Sequence, residues 1–165
     1  MNVDLVSVTQ PVSRLVDKGI SSADDLIAYI ARVSNPSNQI NTLTAPKLIK
    51  YLTKHRHWSP FEMTDMCVEI KTSRAIAAQI LRHRSFSFQE FSQRYSNVDT
   101  LEDIEWRAQG KTNRQVGDEP IELDKQLDHS ISQHLDNSLV LYKELLTQGV
   151  AKECARNILP LTTET

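Results

Sequence analysis

Apolar side chains recur along this chain at spacings that predict its secondary structure. The apolar run from Val3 to Val8 predicts a strand, and the alternation of Met66, Val68 and Ile70 with polar neighbours predicts another between Glu62 and Lys71, with one face on a core. Spacings of three and four residues predict helices. One is capped by Ser21-Ser22 and ends near Pro36, and a second is capped by Thr44 and ends around His55 to Trp58. Further helices begin at Ser73, Leu127 and Val150, and Gly149 closes the one that begins at Leu127.

The segment from Asn97 to Glu122 lacks this regularity. It carries charges of both signs and includes Gly110, Gly117 and Pro120. A connection of this length within a compact domain is usually a functional lid or a disordered segment. We therefore predict a mobile loop over residues 97–122.

Composition and charge restrict the class of protein. The chain has 165 residues, of which 39% are hydrophobic and 24% charged, which is typical of a soluble globular domain. Its formal net charge of −2 gives no overall attraction to nucleic acid, so any anion recognition must be local. Only two cysteines occur, and Cys67 and Cys154 are expected to be small core residues in a reducing cytoplasm. No stretch is apolar enough to predict a membrane span.

Hydrogen-bond donors are concentrated between Arg82 and Arg94. Arg82-His83-Arg84 is followed within ten residues by another arginine and by several serines. Guanidinium groups grip phosphate oxygens through two parallel hydrogen bonds, so two such groups suit a nucleotide monophosphate. The alternative is that these cations only complement the negative end of a helix dipole.

The longer pattern decides between these interpretations. Arg82-His83-Arg84 is followed by seven residues, Ser92 and then Arg94-Tyr95-Ser96, with Gln79 and Glu90 at two further matching positions. This pattern resembles the signature of flavin-dependent thymidylate synthases. Three other stretches match in the same order, so that the resemblance covers almost the whole chain: Ala31-Arg32-Val33-Ser34, His57-Trp58-Ser59-Pro60-Phe61-Glu62 and Ala155-Arg156-Asn157-Ile158-Leu159-Pro160.

The resemblance implies both a fold and a reaction. The fold expected is α+β, with a mixed sheet packed with helices in a single domain. The reaction is reductive methylation of dUMP to dTMP, with methylene-tetrahydrofolate as carbon donor and FAD that is reduced by NADPH. The family forms homotetramers with shared active sites, so residues from neighbouring subunits are expected to complete each site.

Matching positions give the site residues that the resemblance implies. Arg94 and Arg156 are expected to clamp the phosphate, and Arg82 is the candidate catalytic residue. Donors near the flavin are expected to stabilise its anionic reduced form. The predicted dUMP contacts are Gln79, Ile80, Leu81, Arg82, Glu90, Phe91, Ser92, Gln93, Arg94 and Arg156. The predicted FAD contacts are Ser34, His57, Ser59, Arg82, His83, Arg84, Ser85 and Glu90.

The chain departs from the family pattern at two places. Met63 stands where many relatives have histidine. The family also continues beyond the position of Thr165 with a helical segment that supplies flavin contacts and an arginine thought to polarise the uracil ring. On this basis a chain ending at Thr165 is expected to bind dUMP weakly and to form little dTMP.

Several alternatives stay open at this point. One is a nucleotide- and flavin-binding protein without turnover. Another is a single-stranded nucleic-acid binder that stacks bases on the aromatic residues between Phe86 and Tyr95, although its basic residues are few. A nucleophilic role for Ser92 is disfavoured, because no Ser-His-Asp arrangement can be recognised in the sequence. His57 and His83 lack a third ligand at metal-like spacing, so no metal is predicted.

Overall fold

The computed structural model describes residues 1–165, which separate into two compact units. One unit comprises Val3–Ile70, and the other comprises Lys71–Thr165 together with Met1–Asn2. Strands and helices occur in the same chain, which confirms the predicted α+β class. None of the helices is long and apolar enough to cross a membrane.

The unit of residues 3–70 contains a two-stranded sheet and three helices. Strand β1 pairs with strand β2, and helix α2 packs against helix α3. Its elements are β1 (Asn2–Val8), α1 (Ser13–Val16), α2 (Ala23–Ala31), α3 (Ala45–Lys54) and β2 (Met66–Lys71), with 3-10 turns at Pro36–Asn38 and Phe61–Met63.

The first turn of α2 shows why the helix begins where the sequence predicts. The Ser22 hydroxyl oxygen accepts from the backbone N–H of Asp25 at 3.1 Å, and the Asp25 carboxylate accepts from the backbone N–H of Ser21 at 3.3 Å. This reciprocal arrangement satisfies N–H groups that have no partner within the helix. The predicted cap at Thr44 is different, because its hydroxyl oxygen makes no capping hydrogen bond and instead accepts from Arg32 Nη2 at 2.8 Å.

Arg32 fastens the connection between α2 and α3. Its side chain lies in the interior with the residue only 8% exposed, and it donates to the carbonyl of Asn41 as well as to Thr44. Ile27 and Leu52 are buried on the two helices. Since buried polar groups must find hydrogen-bond partners, Arg32 fixes the course of residues 33–44.

The unit of residues 71–165 is built around one long helix. Asp124 caps α5 by accepting from the N–H groups of Gln126 and Leu127, each at 3.0 Å. The helix ends just before Gly149, which has φ of +82°, a conformation that suits glycine. The elements are α4 (Arg74–Ile80), β3 (Arg107–Gln109), β4 (Gly117–Pro120), α5 (Lys125–Thr147) and α6 (Lys152–Ala155), followed by a 3-10 turn at Arg156–Ile158.

Tyr142 of α5 lies at the centre of this unit. It has no exposed surface and packs with Val98 and Ala155, while Leu139 and Leu159 are among the partly buried side chains around them. The backbone N–H of Val98 donates to the Tyr142 hydroxyl at 3.4 Å, so the polar tip of the ring has a partner.

Two elements differ from the predictions. The segment predicted as a loop contains an antiparallel hairpin in which Arg107 of β3 pairs with Pro120 of β4, while its mobility stays a prediction. The last helix is also interrupted: α6 ends at Ala155 and the chain continues as a 3-10 turn. Neither short element shows a helical or strand repeat long enough to be recognised from periodicity.

Predictions of burial were wrong at several positions. Cys67 and Cys154 are exposed, as are Met66 and Val68, although the alternation had indicated a core-facing strand. Nearly every residue of β1 and β2 is exposed, because no helix of this unit packs as a layer on the two-stranded sheet. On α4 only Ala77 is buried.

Candidate active site

The turn after α4 presents its charged side chains to solvent. Arg82, His83, Arg84 and Ser85 are all exposed, and the backbone N–H of His83 still donates to the carbonyl of Ile80 at 3.0 Å. Arg82 Nη1 lies 3.4 Å from Gln79 Oε1, which is a neutral acceptor. The positive charge of Arg82 is therefore not neutralised by a carboxylate in its own unit. Of the two apolar residues predicted at the pocket, Ile80 is half-buried and Leu81 is exposed.

Aromatic rings extend this charged turn. His83 stacks on Phe86 with 3.9 Å between ring centroids and 12° between ring planes, and Phe88 meets Phe86 edge-on at 6.2 Å. Phe86 is 61% exposed. The turn thus combines uncommitted cationic donors with a flat aromatic surface, which is a chemical environment that fits a planar ligand with anionic groups.

The predicted dUMP contact residues from Glu90 to Gln93 lie in different environments. Glu90 is half-buried, and one of its oxygens lies 3.4 Å from Arg74 Nη1. Phe91 and Ser92 are exposed. Gln93 is only 4% exposed, and its side-chain amide donates to Thr163 Oγ1 at 3.2 Å. The Gln93 side chain therefore anchors the segment.

Arg94 is tied to the beginning of α6. One oxygen of Glu153 accepts from Arg94 Nε at 2.9 Å and lies 2.6 Å from Arg94 Nη2. The neighbouring Lys152 donates from Nζ to the carbonyl of Tyr95 at 2.7 Å. Arg156 follows Glu153 by three residues, a spacing that places both on one side of a helical segment. Glu153 thereby connects Arg94 to α6, which Arg156 follows directly.

Three predicted flavin contacts lie in the unit of residues 3–70. Ser34, His57 and Ser59 are exposed. The ring of His57 lies 6.2 Å from that of His55 and 6.1 Å from that of Tyr51. Arg56, between the two histidines, has φ of +56°, which is uncommon for a residue with a side chain. The two histidine rings of the turn after α3 therefore cluster with the ring of Tyr51 on the helix.

Sequence reasoning missed the polar residues that hold the segment from Arg82 to Ser96, which we call the binding segment. Glu153 and Lys152 on α6, Arg74 on α4 and Thr163 near the C-terminus all contact it, and each is distant or unremarkable in sequence. Only the three-residue spacing of Glu153 and Arg156 offered a signal. The remaining contacts depend on how the chain returns past Ser73, where Glu164 forms an antiparallel bridge.

One carboxylate in this unit has a clearly altered acidity. The N-terminal ammonium of Met1 lies 2.5 Å from Glu102 and lowers the pKa of that carboxyl. Hydrogen bonds from Ser73, including its backbone N–H at 2.6 Å, act in the same direction, while burial opposes them. Glu102 is therefore a structural anion that fastens the residues just before α4.

Comparisons with known proteins agree with this arrangement. The family model described as "Thymidylate synthase complementing protein" matches residues 14–165. The probable flavin-dependent thymidylate synthase of Paramecium bursaria Chlorella virus 1 is 51% identical over all of this chain and 76% of its own length. The flavin-dependent thymidylate synthase of Synechocystis sp. is 47% identical with the same coverage.

A solved structure extends the similarity to the fold. The UMP/dUMP methylase PolB from Streptomyces cacaoi, bound with 5-Br dUMP, matches with a TM-score of 0.75 and 27% identity over 99% of this chain and 69% of that chain. The predicted family fold is thereby confirmed. On its sequence and its structure alike, the chain belongs to the family of flavin-dependent thymidylate synthases.

Proposed function

We propose that this protein methylates dUMP reductively to dTMP, with methylene-tetrahydrofolate as carbon donor and FAD reduced by NADPH. The observation that carries the proposal is the exposed turn Arg82–Ser85, whose cations remain available to a ligand, in a chain 51% identical to a probable flavin-dependent thymidylate synthase. The structural neighbour PolB is a UMP/dUMP methylase, which supports a pyrimidine nucleotide as substrate.

The nucleotide would be held by its phosphate and by its base and sugar. Arg94 and Arg156 supply the charge that a phosphate dianion requires, and hydrogen bonds to charged groups contribute about 1.5–3 kcal/mol each. Gln79 and Arg82 lie next to each other and offer donors and an acceptor suited to the uracil edge. Ile80, Leu81, Glu90, Phe91, Ser92 and Gln93 complete the proposed dUMP set.

FAD fits the donor set of the turn after α4. Arg82, His83, Arg84 and Ser85 offer donors to its anionic groups, and the stacked rings of His83 and Phe86 offer a planar surface. Glu90, Ser34, His57 and Ser59 are the further proposed contacts. When bound, FAD would supply the reducing hydride. The residues of this chain would orient the nucleotide and stabilise negative charge through Arg82.

Self-association as a homotetramer with shared active sites is the assembly we propose. In support, β1 and β2 expose Leu5, Val6 and Met66, and Tyr95 beside Arg94 is 83% exposed. In a homotetramer, another copy of the chain would cover the apolar side chains that this sheet leaves exposed. A cytoplasmic location accords with the reduced cysteines and the nucleotide substrate.

Two measurements test the proposed function. Titration of the purified protein with FAD, followed by the visible spectrum, should show saturable binding. The full-length gene product, incubated with FAD, NADPH, methylene-tetrahydrofolate and dUMP, should then form dTMP, and omission of any one component should abolish it. Calorimetry with dUMP and UMP gives the nucleotide preference. A protein that binds neither FAD nor dUMP would overturn the proposal.

A further inference from the structure

Glu153 makes the closest polar contact with a predicted phosphate clamp. Its carboxylate takes the edge of Arg94 formed by Nε and Nη2, using a single oxygen at 2.9 and 2.6 Å. A guanidinium has five N–H donors. Three of them, including both on Nη1, are not engaged by Glu153, so the opposite edge of Arg94 can still meet a phosphate through two parallel hydrogen bonds.

A second contact holds the same two segments together. Lys152 Nζ donates to the carbonyl of Tyr95 at 2.7 Å, one residue after Arg94. Consecutive side chains of α6 thus grip consecutive residues of the binding segment, and Arg156 stands three residues further along. Glu153 is the member of this group that touches the arginine itself.

We propose that Glu153 is a positioning residue for the nucleotide phosphate: it fixes the Arg94 guanidinium with its free edge available and joins it to α6, which Arg156 follows directly. The inference deepens the proposed function and rests on it. Arg94 and Glu153 have exposed side chains, 64% and 57% respectively, so their ion pair adds little to stability. Its effect falls on binding, because an exposed arginine without Glu153 must be immobilised by the ligand.

The test uses Glu153→Ala and Glu153→Gln in the full chain. Calorimetry should show that Glu153→Ala weakens dUMP binding about two- to tenfold, which corresponds to immobilising one flexible side chain. Glu153→Gln keeps an oxygen that accepts from Arg94 and should bind within about twofold of wild type. In turnover assays Glu153→Ala should raise KM for dUMP and leave kcat nearly unchanged.

Glu105→Ala is the matched control. It removes one negative charge and an exposed ion pair to Arg107 of similar length, 2.7 Å, within the same unit. It should leave dUMP affinity unchanged, which separates positioning of Arg94 from a change in net charge. All variants should unfold at the temperature of the wild type, since the ion pairs are exposed.

A double-mutant cycle identifies the route of action. If Glu153 works through Arg94, then Glu153→Ala should have no further effect on dUMP affinity in the Arg94→Ala background. Tighter dUMP binding by both Glu153 variants would overturn the inference and show that the carboxylate competes with phosphate. Unchanged affinity of Glu153→Ala would also overturn it. If wild type and Glu105→Ala both fail to bind dUMP, the proposed function itself fails.

Discussion

Helix α5 and the segment from Arg82 to Ser96 are held in place in opposite ways. The helix runs for 23 residues, is capped by Asp124 and buries Tyr142 completely. The segment has only turns and irregular backbone, and it is fixed at a few points: Gln93 in the interior, Arg94 on Glu153, and the carbonyl of Tyr95 on Lys152. Stability is therefore concentrated in the helix, while binding groups are concentrated in a segment that contributes little to it.

This comparison predicts that damage to one region should leave the property of the other intact. Substitutions in the core should change the free energy of unfolding, and substitutions of exposed cations should change ligand affinity alone. Gln93 should affect both, because it is a buried anchor within the binding segment.

The largest effect on stability is expected from Tyr142→Ala. Removal of a fully buried aromatic ring leaves a cavity beside Val98 and Ala155 and costs about 3–5 kcal/mol of unfolding free energy. Urea denaturation measures it. The same substitution at Tyr95, which is 83% exposed, is the control and should cost little. Equal losses for the two variants would contradict the assignment of the core.

The next largest effect is expected on binding. Arg94→Ala should weaken dUMP binding by about ten- to a hundredfold, because a charge-assisted contact contributes about 1.5–3 kcal/mol. Its unfolding midpoint should stay that of the wild type. Arg107→Ala removes an exposed arginine in the hairpin and serves as control. Unchanged affinity of Arg94→Ala in calorimetry would locate the phosphate elsewhere.

These two regions also differ in how far the sequence predicts them. Periodicity predicts α5 from Leu127 and Gly149 predicts its end, since both depend on neighbours along the chain, although the helix begins two residues earlier, after the Asp124 cap. The binding segment was recognised only from its resemblance to a family. Its contacts to Glu153 and Thr163 join residues 59 and 70 positions apart, which no local rule supplies.

Burial of the sheet was predicted wrongly for a related reason. The alternation of Met66, Val68 and Ile70 does indicate one apolar face. It does not say whether that face is covered within the same chain or by another copy. The exposure of Met66 and Val68 is therefore the observation that supports the proposed homotetramer.

Gln93→Leu tests the junction between the two regions. It removes the donor to Thr163 Oγ1 at 3.2 Å but keeps a side chain of similar size. Thr163 keeps a partner because its hydroxyl also donates to the carbonyl of Pro160 at 3.0 Å, so the loss should be about 1 kcal/mol of unfolding free energy. dUMP affinity should fall together with stability. A variant that loses neither would show that Gln93 anchors nothing.

The smallest effect is expected from Glu102, and it depends on pH. The ammonium of Met1 and hydrogen bonds from Ser73 hold the pKa of this carboxyl below its ordinary value in the folded chain. A lowered folded pKa means that the ionised group stabilises the fold above the pKa of the unfolded chain, about 4.3. That contribution is lost as pH falls through the folded pKa.

Glu102→Gln should therefore unfold at a lower urea concentration than wild type at pH 7. The difference should shrink steadily below about pH 4 as the wild-type carboxylate becomes protonated. Glu105→Gln is the control, because the Glu105 carboxylate forms only an exposed ion pair with Arg107. This variant should differ little from wild type in its urea midpoint at either pH. A constant gap between Glu102→Gln and wild type down to pH 3 would mean that the carboxylate acts by shape alone. We expect the charge on Glu102, rather than its size, to hold residues 72 and 73 before α4, since Thr72 and Ser73 both donate to its carboxylate.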